Sequence, residues 1–193
     1  MTRSLGWLPV LVLLFFSLSC QTVTQFILPP TATSIPLLLP TPNPTRPASG
    51  IPNEYEVPNE GVAHIAVGAS GTYQHYPPTS GQHYGKILQW GFYTEAVPPE
   101  YWVHNLEHGG IVVLYNCPDN CEAVEEALHT LLDQAPPEKA FHEVKLLISP
   151  NLKIDHPVVA LAWDHELDLD NVDLDLLLDF YNRHVDQGPE LVP

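Results

Sequence analysis

The chain has 193 residues, with 7 Lys and Arg against 23 Asp and Glu and a formal net charge of −16. That is about one domain's worth of chain, and the balance argues against binding nucleic acid or an anionic membrane surface, since both need a basic face. A hydrophobic content of 45% excludes wholesale disorder, and the ten His, three Cys and many carboxylates pose a question of metal chemistry.

At the N-terminus, Arg3 precedes an apolar run from Leu5 to Leu18. The run is shorter than the ~20 residues that span a bilayer and reads as the core of a signal peptide. It ends in Ser17-Leu18-Ser19-Cys20, which resembles a bacterial lipoprotein cleavage site; Ser17 stands where such sites usually carry an aliphatic residue. Residues 1–20 are therefore expected to be a lipoprotein signal with Cys20 as the lipidated residue, or alternatively an uncleaved anchor. Either places the domain outside the cytoplasm, tethered to the cell membrane. Residues 21–58 are Thr/Pro-rich, and such Pro density favours an extended spacer over a helix or a ladder.

Residues 59–193 are expected to fold. Gly61 to Val67 alternates as a strand, and Gly71 to Gly85 is a loop punctuated by Pro77, Pro78 and Gly81. Leu88 to Tyr93 is a short extended piece. Pro98-Pro99 opens a short helix over Glu100 to His108, which Gly109-Gly110 ends. Ile111 to Tyr115 is a β-branched strand. Asp119 and Glu122 spell a capping box for a helix that keeps its apolar spacing to Gln134. Val144 to Ile148 and Val158 to Trp163 are strands, and Asp168 to His184 is the final helix. The order β-α-β-β-α predicts an α+β fold, a mixed or antiparallel sheet with a layer of two main helices.

Three stretches carry chemistry. In His104-Asn105-Leu106-Glu107-His108, residues i and i+4 share a helix face, so His104 and His108 could hold one cation with Glu107 beside them. The same letters spell the His-x-x-Glu-His pattern of inverzincin peptidases, which would make Glu107 a general base; a structural His pair at a buried turn is the other reading. In His75-Tyr76-Pro77-Pro78-Thr79-Ser80-Gly81-Gln82-His83, two prolines stiffen a loop that could deliver His83 as third ligand and His75 as a possible fourth, or carry them as solvated polar residues. In Cys117-Pro118-Asp119-Asn120-Cys121, two thiols sit between a strand and a helix. There they could form a disulfide, as is common outside the cytoplasm, or a soft-metal pair. This stretch resembles the Sco copper chaperones, and the resemblance implies a distant His ligand, for which His156 and His184 are the candidates.

The motifs Pro77-Pro78-Thr79-Ser80-Gly81-Gln82-His83, Trp90-Gly91-Phe92-Tyr93, Val103 to Val112 and Gly188-Pro189-Glu190 together resemble a bacterial family of domains of unknown function, number 3105. The resemblance spans Gly61 to Glu190 and places the family's motif His at His83, His104 and His108. It implies an extracytoplasmic, often membrane-anchored domain and no particular activity. The expected function is thus a tethered domain binding copper or zinc through His83, His104 and His108, with Glu107 and His75 as further candidates. Imidazole suits both ions. A small zinc hydrolase and a metal-free interaction module are the alternatives.

Overall fold

The computed structural model describes residues 51–193; the signal segment with Cys20 and most of the Thr/Pro-rich stretch lie outside the described residues. The centre is a six-stranded mixed sheet in the order β1-β8-β7-β5-β6-β4. Its strands are β1 (Glu54–Glu56), β4 (Gly91–Phe92), β5 (Ile111–Tyr115), β6 (Leu146–Pro150), β7 (Val158–Ala162) and β8 (His165–Leu169). β4, β6 and β5 run parallel, whereas β7, β8 and β1 pair antiparallel. A separate two-stranded parallel ladder joins β2 (His64–Ile65) to β3 (His83–Tyr84). The helices are α1 (Pro99–Glu107), α2 (Glu122–Gln134) and α3 (Leu174–His184). This is an α+β fold.

The central strand β5 is buried along its whole length, as expected for a β-branched run covered on both faces. On one face Ile111, Val113 and Tyr115 meet Leu128 and Leu131 of α2 and Leu177, Phe180 and Tyr181 of α3. On the other, Val112 and Leu114 meet Trp102, Val103 and Leu106 of α1. Trp102 is fully buried, and truncating such a side chain typically costs ~3–5 kcal/mol. The anchoring of α1 by these three residues fixes where its polar face points.

Four expectations change. First, the final helix is shorter at its start. Glu166-Leu167-Asp168-Leu169 alternates in polarity within β8, which returns from β7 through a tight turn at Trp163-Asp164, with Asp164 at φ 61°. Leu167 and Leu169 face the α2/α3 core, and the helix begins only where the Asp173 carboxylate caps it by accepting from the Leu176 amide at 3.1 Å. Second, Glu54–Glu56, within the stretch read as spacer, is an edge strand registered on β8. Glu54 is buried and takes both ends of the Arg183 guanidinium at 2.7 and 2.8 Å. Third, the alternating stretch Gly61 to Val67 contributes only His64–Ile65 to a strand. The Asp119/Glu122 capping box is also absent: α2 is preceded by Cys121, with no side-chain cap.

Candidate functional site

The site is built where the C-terminal end of α1 meets the β2–β3 ladder. Helix α1 ends in a Schellman motif: the Gly110 amide donates to the Asn105 carbonyl at 3.0 Å and the Gly109 amide to Leu106 at 2.9 Å. Gly109 has φ 76°, and a β-carbon there would also lie 2.7 Å from the Asp186 α-carbon, so the position needs glycine on both counts. Between the buried anchors, Asn105 clamps the loop between β3 and β4 by exchanging hydrogen bonds with the Leu88 backbone at 2.9 and 3.0 Å. His104 and Glu107, one turn apart, are left on the same polar face.

The Pro-Pro loop is held by its backbone. The indole of Trp102 donates to the Pro78 carbonyl at 3.2 Å, the Tyr73 hydroxyl to Gln82 at 2.6 Å, and the Glu60 amide to the Ser80 hydroxyl at 2.9 Å. These bonds deliver His83, fully buried, into β3. The ladder register pairs His83 with His64, and a parallel ladder sets register partners side by side. A third imidazole therefore enters beside the two expected ones.

Four ligand atoms converge. His83 Nε2 lies 2.9 Å from Glu107 Oε2, His104 Nδ1 3.3 Å and His64 Nε2 3.5 Å from the same oxygen, and His64 Nε2 lies 3.4 Å from His104 Nδ1. One ligand atom from each of the four residues falls within 4.8 Å of the others. A tetrahedral ion with ligands at ~2.0–2.1 Å spaces them ~3.3–3.4 Å apart, so the group is close to a coordination shell in size. His83, His104 and Glu107 are buried, and the His64 side chain is 51% exposed, forming the rim. The tautomers also suit a cation. His83 Nδ1 is 2.8 Å from the Gly81 carbonyl, which can only accept, so a proton held there leaves Nε2 toward Glu107 able to coordinate. Burial, and after it the neighbouring His108, His83 and His64, push the His104 imidazole down to about 4, keeping it neutral and able to coordinate.

The expected trio is thus divided. His83 and His104 meet, and Glu107 joins them as an equal member. His108 does not: it follows the last residue of α1 and turns toward the C-terminal tail, with Nε2 3.6 Å from Glu190 Oε2. His75 also lies apart, against the Glu166 carboxylate. Burial opposes its charge, but the bond to Glu166 and the nearby Glu60 and Asp168 carboxylates outweigh it and hold its pKa above the ordinary value. His64 was read only as part of a strand; its role comes from ladder register, which local sequence does not encode. Cys117 and Cys121 are joined as a disulfide with α-carbons 5.7 Å apart. The two candidate distant His are both paired with carboxylates, His156 near Asp168 and Asp170 and His184 with Glu54. The last of these belongs to a second group, Glu54, His165 and His184, but there Arg183 already satisfies the carboxylate.

These features define an α+β domain whose polar centre is assembled from one stiff loop, one short ladder and one helix end. The chain belongs to the family described as "Protein of unknown function (DUF3105)", which it matches over residues 64–192. All four converging residues fall within that span. No curated protein and no solved structure matches the chain.

Proposed function

We propose that this is an extracytoplasmic, membrane-tethered domain that holds zinc or copper on His64, His83, His104 and Glu107. The observation that carries the reading is the convergence of three imidazoles and one carboxylate at spacings of 2.9 to 3.5 Å. Three imidazoles and a carboxylate suit zinc and copper(II), and four protein ligands make a closed shell, as in sites that hold an ion rather than activate water on it. The hydrolase alternative fits less well, because Glu107 Oε2 is itself among the converging atoms and is not set apart to serve as a base. The tether rests on the apolar run and Cys20. Among the described residues no helix is long and apolar enough to cross a membrane, so an anchor would have to come from the N-terminal segment.

The test is the metal content of the full-length protein, extracted in detergent without chelators. Zinc or copper should be present, be lost in His83→Ala and His104→Ala, and persist in His129→Ala, whose ring stacks on Phe92. Wild-type protein that takes up neither ion would leave the metal-free interaction module.

A further inference from the structure

The same carboxylate takes part in a second group. Glu107, His108 and Glu190 also bring one ligand atom each within 4.8 Å of one another. His104, Glu107 and His108 stand at i, i+3 and i+4 around the end of α1, and the rings of His104 and His108 are 4.5 Å apart. Resting on the metal-binding reading above, we propose that the centre is dinuclear: Glu107 bridges the ion held by His64, His83 and His104 to a second divalent cation held by His108 and Glu190.

Three observations carry this. The first is the placing of the His108 ring. Its Nδ1 is 3.3 Å from a Pro193 oxygen, an acceptor only, and its Nε2 is 3.6 Å from Glu190 Oε2, so a proton on Nδ1 leaves Nε2 able to coordinate beside that carboxylate. The His83 ring likewise has Nδ1 against the Gly81 carbonyl and Nε2 against Glu107. The second is how Glu190 arrives. Its amide donates to the Glu107 carbonyl at 3.0 Å, and Gly188 packs so closely on the helix end that a β-carbon would collide with the Glu107 carbonyl oxygen. Lys145 Nζ ties the tail down further, donating to the carbonyls of Val192 at 2.6 Å and His108 at 3.1 Å. The third is charge. The Lys145 ammonium is matched by Asp186 at 3.1 Å, so the second position does not face an unpaired positive charge. A carboxylate shared by the two groups can bridge two ions, and such pairs sit ~3.5–4 Å apart.

The second position has fewer protein ligands, and Glu190 is half-exposed, so this ion is the weaker and more exchangeable one. Titration of the full-length protein in detergent with zinc should reach two ions per chain. His108→Ala and Glu190→Gln should each reduce this to one, leaving the tighter ion in place; Glu190→Gln is conservative and at the surface, so folding is not at issue. Loading with copper(II) gives an independent readout, because two carboxylate-bridged copper(II) ions couple magnetically and their resonance integrates to less than the copper bound. One ion per chain in the wild type, undisturbed in both variants, overturns the dinuclear centre and leaves the single-ion reading intact. Two ions that survive both substitutions, or two whose resonance integrates in full, also overturn it. No ion at all overturns both readings.

Discussion

The His83 imidazole and the Glu107 carboxylate meet at 2.9 Å, both buried, across a contact for which neutral His83 has no proton to give. Its one N–H is committed to the Gly81 carbonyl, so lone pair faces lone pair unless a proton or a metal ion lies between them. An unsatisfied buried acceptor costs ~1–3 kcal/mol, a cost that either a proton or a metal ion between the two groups removes.

Glu107→Gln should therefore act in opposite directions with and without metal. The amide can donate to His83 Nε2, so the metal-free variant should equal or exceed wild type in stability by about 1 kcal/mol. Zinc at a hundred times its Kd should stabilise wild type by about 2.7 kcal/mol and the variant hardly at all. Denaturant unfolding with and without zinc measures both. A metal-free variant clearly less stable than wild type would mean that His83 and Glu107 form an ordinary ion pair with a protonated imidazole.

A second prediction concerns pH and Asp168 of β8. Burial, and then the neighbouring Glu166 carboxylate, raise Asp168 from 3.8 to about 7, only partly opposed by His156 and His75. Because the folded pKa is the higher one, this group favours the native state fully below pH 3.8 and loses that contribution as pH rises toward 7. In chelator-treated protein, Asp168→Asn should remove this decline in thermal stability between those limits. Parallel pH profiles for the two proteins would place the destabilising charge elsewhere.

The upstream limit of the fold can be tested by truncation. Removing residues 1–50 should leave the fold intact. Removing residues 1–58 deletes β1, uncovers the edge of β8 and leaves Arg183 and His184 without Glu54. Breaking a buried ion pair by removing one partner costs ~3–5 kcal/mol, reduced here because Arg183 is partly exposed. Equal unfolding midpoints for the two truncations would show that β1 adds nothing.

The disulfide should be separable from the metal centre. Replacing both Cys117 and Cys121 by Ser opens a very short loop, for which chain entropy predicts a loss of about 2 kcal/mol. Zinc stoichiometry should not change. Loss of zinc in this variant would instead bring the thiols into the metal chemistry, in line with the Sco-like stretch.

The sequence exposed what local chemistry decides. The β-branched run of β5, the prolines that open α1 and the glycines that close it each have a local cause, and their boundaries match the structure to within a residue. His83, His104 and Glu107 were legible because each sits in a stiff or periodic segment. His64 was not, since its place depends on β2 lying beside β3, and a two-residue ladder leaves no periodic trace. His108 was grouped with His83 and His104 by the i, i+4 rule, which assumes a continuing helix; α1 stops at Glu107, and His108 turns toward Glu190. β8 was missed, and its last two residues were joined to the final helix, because they precede a true helical pattern and its turn, Trp163-Asp164, lacks the Asn-Gly or Asp-Gly signature of a tight hairpin.

The β2–β3 ladder has two rungs and belongs to a segment that exposes Val62 and Val67 at 52% and 65%. It contributes two of the four converging ligands. An ion there is a removable staple between the segment around residues 61–85 and helix α1. Occupancy would then be legible from outside the molecule: a protease offered the metal-free protein should cut first in this segment, and the same bonds should survive once the ion is restored.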